Sequence, residues 1–183
     1  MAVDASKLGI VHYPDKVLRT AGKAVKEINE EVRAVASRMI ELMYEAEGIG
    51  LAAPQVGLSW QMFVLDVPEG EDRTSTDDPP TCTTGPMVFI NPKITKYEGA
   101  PEPFEEGCLS LPEIRGDVLR PPVVTMTATD EQGKVFTIRA GGLLARCLQH
   151  EFDHLQGVLI LDKMTQTARM KNRTAVRDLE RSR

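Results

Sequence analysis

The segment from Gly142 to Leu155, GLLARCLQHEFDHL, constrains the fold more than any other. Its spacing predicts a helix with Gly157 just beyond its end. Leu144, Cys147, Leu148, Glu151 and Leu155 share one face of it, and His150 and His154 stand at the edge of that face. A helix with so much apolar surface must be covered by other elements, which places it at the centre of a domain. Yet it also carries two imidazoles and a carboxylate. Residues four apart stand one turn apart on the same side. His150 and His154 can therefore hold one metal ion, with Glu151 beside the ion's open position. The His-Glu-x-x-His pattern is short enough to arise by chance on a surface helix. Two features weigh against that here. The chain has only 3 histidines, two of them in the pattern, and Leu143, Leu144, Leu148 and Leu155 leave little room for simple solvation.

The remaining pattern supplies the cover. Asn29 to Glu47 reads as an amphipathic helix, with Val32, Val35, Ala36, Met39, Ile40 and Met43 at helical spacing. Asn29 is its N-cap, Glu30 and Glu31 favour its first turn, and Gly48 closes its end. Gln61 to Val67 and Met87 to Asn91 read as strands. Val123 to Thr129 and Lys134 to Ile138 flank Asp130-Glu131-Gln132-Gly133, a hairpin signal. Pro68–Pro86 is rich in Pro, Gly, Asp and Thr and reads as a long, flexible surface loop. A polar, basic helix is expected at about 165–183; from Ala168 onward six Lys or Arg stand against two acids. Together these predict an α+β fold in a single catalytic domain spanning 1–183. Short mixed or antiparallel strands pack around the central HExxH helix, with an N-terminal amphipathic helix and a C-terminal helix.

Composition narrows the function classes. Lys and Arg number 22 against 27 Asp and Glu, a net charge of −5, which argues against a dedicated DNA or RNA binder. No stretch approaches the roughly 20 apolar residues of a membrane span, and the N-terminus has no signal-like run. The 3 cysteines, Cys82, Cys108 and Cys147, are too few for a disulfide framework and point to a reducing compartment. There, a cysteine in an unusual setting is a ligand or nucleophile before it is half of a bridge.

Two histidines do not complete a catalytic metal site. A third ligand is needed, and a fourth position must stay open. No histidine follows His154, and Asp162, Asp178 and Glu180 have no supporting motif. Upstream lies Glu105-Glu106-Gly107-Cys108-Leu109-Ser110, in which Cys108 sits beside a glycine and among acids and a hydroxyl, unlike a core strand. A buried small hydrophobe is the alternative reading of Cys108. Gly48-Ile49-Gly50-Leu51-Ala52-Ala53-Pro54-Gln55 is a third feature: its glycines admit close approach of a ligand to the backbone, and Gln55 offers an uncharged donor.

GIGLAAPQ, EGCLS and QHEFDH resemble, in order, the three signature motifs of the peptide deformylases. The resemblance extends from about Ile10 to Met164, through Tyr13 to Arg19 and the Ile90–Pro92 and Leu111–Pro121 stretches. It departs at Pro54, where many members carry Thr or another residue, and in a Pro68–Pro86 loop longer than in compact members.

The resemblance implies that Cys108, His150 and His154 bind one divalent ion with water as fourth ligand. Ferrous iron is the expected ion, with zinc, nickel or cobalt able to take its place. Glu151 would be the general base, with Gln55 and the Leu109 backbone N–H donating to the formyl oxygen. Ile49, Leu143 and Cys147 would wall a methionine slot, with Glu106 and Arg146 nearby. Gly48, Gly50 and Gly107 would lie along the bound peptide, and Arg115 further along it. The implied substrate is the formylmethionine of nascent peptides, and the implied setting is the bacterial cytoplasm. The basic C-terminal helix either docks on the ribosome or is a solvated face. Rival readings are an HExxH metallopeptidase, a structural metal site or nucleic-acid module, and a deformylase-like protein acting on another amide.

Overall fold

The computed structural model describes residues 3–181. The first long helix, α1 (Glu30–Glu45), begins as its sequence demands: the Asn29 side chain accepts the Val32 N–H at 3.1 Å. Its end differs from expectation in one detail. The residue that turns left-handed is Glu47, at φ 53°, with Gly48 one position later. Glu47 N–H donates to Tyr44 C=O and Gly48 N–H to Met43 C=O, so the helix closes as a Schellman turn. Gly48 instead leaves room for Leu109: a Cβ there would lie 2.7 Å from Leu109 Cδ1.

Five antiparallel strands form the main sheet: β1 (Gly50–Ala52), β2 (Met62–Leu65), β3 (Met87–Glu98), β6 (Val123–Thr129) and β7 (Val135–Gly141), in the order β1-β2-β3-β6-β7. β4 (Glu102–Cys108) and β5 (Leu111–Arg120) form a separate two-stranded hairpin. β3 runs well past the expected Asn91. Pro92 lacks the N–H a strand interior needs, but it falls at a register shift between Ile90 and Lys93 where the ladder is interrupted.

The helix α2 (Gly142–Leu155) has the bounds its sequence predicts. It lies on one face of the sheet, where Leu144, Leu148 and Leu155 join Phe63, Leu65, Phe89, Val124 and Met126 in one core. Phe63 stacks on Phe89 with centroids 4.6 Å apart. α1 covers the other face, with Val35, Met39 and Met43 against Met62, Val64 and Ile90. Covering both faces explains why β2 is buried at every position although successive side chains point opposite ways. Each such side chain contributes about 1.5–3 kcal/mol by burial.

A short helix, α3 (Ile160–Lys163), leads to α4 (Gln166–Arg181). The last two residues of the expected 165–183 helix, like the ends of the expected 1–183 domain, lie outside the described residues. α3 and α4 pack on the hairpin through Ile114, Val118, Ile160, Met164 and Ala168. Gly116 makes this possible, since a Cβ there would come within 2.8 Å of Ala168 Cβ. Pro68–Pro86 contains neither helix nor strand. Its second half is nonetheless tied down: Cys82 is buried in the α2 core, and Thr83 N–H donates to Val67 C=O at 2.9 Å. Among the described residues no helix is long and apolar enough to cross a membrane.

Candidate active site

α2 carries His150 and His154 one turn apart, and their Nε2 atoms are 3.2 Å from one another. Cys108 comes from the last position of β4, and its Sγ lies 3.3 Å from His154 Nε2. The ligand atoms of all three residues lie within 4.8 Å of one another. One thiol and two imidazoles converging at this spacing fit a divalent ion bound by three protein ligands, with a coordination position left over. The hairpin thus brings Cys108, from upstream in the sequence, beside the two histidines.

His150 turns its other nitrogen toward a carboxylate: Nδ1 and Glu106 Oε2 are 3.0 Å apart. This fixes the ring and leaves Nε2 facing the Cys108–His154 side. Glu106 is itself buried, and both oxygens are held. Arg120 donates Nε to Oε1 at 2.7 Å and Nη2 to Oε2 at 3.0 Å, and Arg146 Nη1 donates to Oε1 at 2.9 Å. Arg120 also reaches Asp153 Oδ2, at 2.8 Å, from Nη1. Burial alone would raise the Glu106 pKa, but the hydrogen bonds from His150 and Arg120 overcome it and bring it to about 2.

Glu151 has the opposite surroundings. It is equally buried, and its Oε2 has no hydrogen-bond partner among the described residues. Burial raises its pKa to about 7, against the pull of His150 and Arg120. It fits only because residue 50 is glycine: a Cβ there would lie 2.4 Å from Glu151 Oε1 and 2.9 Å from Cys147 Sγ. Burial holds His154 well below its ordinary pKa, with the His150 charge adding to the effect, so the ring is neutral and keeps one nitrogen lone pair for a ligand. Burial opposes charge on His150 too, yet the hydrogen bonds to Cys108 and Glu106 raise its pKa well above the usual value. Metal binding at these residues would release that proton.

Gln55 sits in a one-turn 3-10 helix, Ala53–Val56, directly after β1. Its Oε1 accepts the Ala52 N–H at 2.8 Å, which orients the amide. Nε2 consequently faces Ser110 Oγ, at 3.3 Å, and Cys108 Sγ, at 3.5 Å. Cys147 differs from Cys108: burial pushes its thiol pKa well up, so it stays a neutral wall, 3.5 Å from Ile49 O.

One cavity of about 530 Å³ gathers these groups. Every sequence-predicted site residue lines it except His154, which is 1% exposed. β1 and β4 present their unpaired edges here, since β1 is the outer strand of its sheet and, among the described residues, β4 pairs only with β5. Arg115 lies across from Gly107 in the hairpin, and a Cβ on Gly107 would meet its side chain at 3.4 Å. Glu106 lines the cavity as expected, but its oxygens serve His150 and two arginines.

Sequence reasoning passed over Arg120, Asp153 and Ser110. Arg120 left a signal. It follows Ile114, Gly116 and Val118 on the buried side of β5, and an arginine at such a position needs a buried partner. Ser110, with no exposed surface, is visible only once the hairpin turn is placed.

The fold and this site define an HExxH metallohydrolase. Residues 7–170 match the family described as polypeptide deformylase. A peptide deformylase of Acinetobacter baumannii is 44% identical over 96% of this chain and 93% of its own length. The crystal structure of peptide deformylase from Ehrlichia chaffeensis superposes with a TM-score of 0.85 at 34% identity, covering 95% of each chain. That of a Synechococcus elongatus peptide deformylase in complex with actinonin gives 0.81 at 40% identity, over 96% of this chain and 89% of that one. The chain belongs to the polypeptide deformylase family, metal-dependent enzymes that hydrolyse the N-formyl amide.

Proposed function

We propose that the cavity receives the N-terminal formylmethionine of a nascent peptide, and that its formyl amide is hydrolysed there to formate and a free amino terminus. The observation that carries this reading is the unpartnered, buried oxygen of Glu151 beside three convergent donors. Cys108, His150 and His154 would hold one divalent ion, ferrous iron in the cell, with zinc, nickel or cobalt as substitutes. Such an ion supplies Lewis acidity, polarising a carbonyl and bringing the pKa of water toward neutrality.

The chain's own residues do the rest. Glu151 takes the proton of the attacking water and passes a proton to the leaving amine nitrogen. Gln55 Nε2 and the Leu109 N–H donate to the formyl oxygen as negative charge grows on it. Ile49, Leu143 and Cys147 wall the methionine slot, where a flexible thioether packs well. The peptide beyond methionine adds as a strand between the free edges of β1 and β4, past Gly48, Gly50 and Gly107, toward Arg115. The proposed setting is the bacterial cytoplasm. The proposed ribosome contact is α4, whose Arg169, Lys171, Arg173 and Arg177 are all exposed.

The test is formate release from a short formyl-Met peptide by anaerobically purified, iron- or nickel-loaded protein, beside an N-acetylated peptide assayed for internal cleavage. Formate from the first and no cleavage of the second is expected. Internal cleavage without formate would replace the reading with an endopeptidase, and neither product from loaded, folded protein would overturn it.

A further inference from the structure

The Pro68–Pro86 loop meets the site at the start of α2. This helix opens on Gly141 and Gly142, and its N-cap makes no side-chain hydrogen bond. The N–H groups of a first turn lack partners within the helix and need them from elsewhere. The loop supplies two: Pro80 C=O accepts Gly141 N–H at 2.9 Å, and Thr81 C=O accepts Leu144 N–H at 3.3 Å. The contact is tight, so that a side chain at either glycine would have to displace the loop by a few tenths of an ångström. A Cβ on Gly141 would lie 3.0 Å from Pro79 Cγ, and one on Gly142 would lie 3.1 Å from Thr81 Cγ2.

Thr81 is in turn held within its own loop. Its N–H donates to Thr74 C=O at 3.0 Å, and its Oγ1 accepts Thr74 N–H at 2.9 Å. The next residue, Cys82, is buried in the same core as Leu144, Cys147 and Leu148. The loop therefore grips Gly142 and Leu144, the two neighbours of Leu143, and Leu143 lines the cavity.

We propose that Thr81 is a positioning residue for substrate selection: by holding Gly142 and Leu144 it fixes the Leu143 wall and so the width of the methionine slot. This inference rests on the deformylase reading. A slot wall set by backbone contacts discriminates by shape, and small misfits in an apolar pocket change selectivity by roughly 10-fold or more.

The experiment compares kcat/KM for formyl-Met and formyl-Phe peptides of otherwise equal sequence in the metal-loaded parent, Thr81→Gly, Thr81→Val and Glu71→Gly. Activity in the parent on the formyl-Met peptide is the separate check of the deformylase reading, and its absence would sink that reading first. In Thr81→Gly the ratio favouring methionine should fall by about 3- to 10-fold, mainly through KM, at unchanged metal content. Thr81→Val loses the bond from Thr74 N–H and should shift the ratio the same way by less, about 2-fold. Glu71→Gly, at an exposed position in the turn between Gly70 and Arg73, should not move it. A parental ratio in folded Thr81→Gly, or in Thr81→Val where the glycine variant does not fold, would overturn the proposal, as would a lowered Tm without a change of ratio.

Discussion

Two buried glutamates flank His150, and they differ in almost every respect except depth. Glu106 and Glu151 are 6% and 4% exposed. Glu106 meets an imidazole and two guanidinium groups, and its pKa falls to about 2. Glu151 has an oxygen with no partner, and its pKa rises to about 7. Burial acts in the same direction on both, so the difference comes from the hydrogen bonds each receives. One carboxylate is thereby fixed as an anion that orients the His150 ring. The other keeps a proton-accepting oxygen free near neutral pH. Two like groups pushed apart in this way mark a division between support and chemistry.

The sharpest test of that division is Glu151→Gln, which keeps shape and removes the base. We expect kcat to fall by about 10²- to 10⁴-fold with metal content unchanged. Loss of metal in step with activity would mean that Glu151 supports the site as Glu106 does.

The same pair predicts opposite stability slopes with pH in the metal-free protein. Glu106, with its folded pKa depressed from 4.5 to about 2, stabilises above pH 4.5, and that contribution fades as pH falls toward 2. Glu151, raised from 4.5 to about 7, favours the folded state when protonated, and that contribution fades as pH rises through 7. Each limb amounts to about 3 kcal/mol at most. Urea unfolding from pH 2 to 8 should show the acid limb flattened in Glu106→Gln and the neutral limb flattened in Glu151→Gln. Identical profiles in both variants would erase the distinction.

The Glu151 half of this comparison was legible in the sequence and the Glu106 half was not. Glu151 belongs to a local pattern: helical spacing alone sets it beside His150 and His154, and the glycine-bounded α2 was readable to the residue. Cys108 and Gln55, which line the cavity, drew notice because each sits in a motif of small residues that no core strand needs. Glu106 was placed at the cavity but read as a substrate contact, because its partners Arg120, Arg146 and His150 lie 14, 40 and 44 positions away. No local pattern encodes that meeting; the β4–β5 register does. The fold divides likewise. The β6–β7 hairpin was announced by its turn residues. The length of β3 was hidden by Pro92, and the left-handed Glu47 by the Gly48 that follows it.

The remaining test falls on the supporting side. In Glu106→Gln the amide oxygen can still accept from His150 Nδ1, but the NH₂ must then face the arginine donors. Arg120 is left with Asp153 as its only carboxylate, and a buried charge loses half its compensation. The His150 ring is then held by a weaker acceptor, and outer-shell changes of this kind cost about 10- to 100-fold in metal affinity. Titration of the metal-free variant with Ni(II) or Co(II) should show this loss, while kcat per bound ion stays within about 3-fold of the parent. Here the signature inverts that of Glu151→Gln: affinity falls and turnover holds. A variant that bound metal as the parent does but turned over slowly would assign Glu106 to the reaction itself, and the two carboxylates would then share one role.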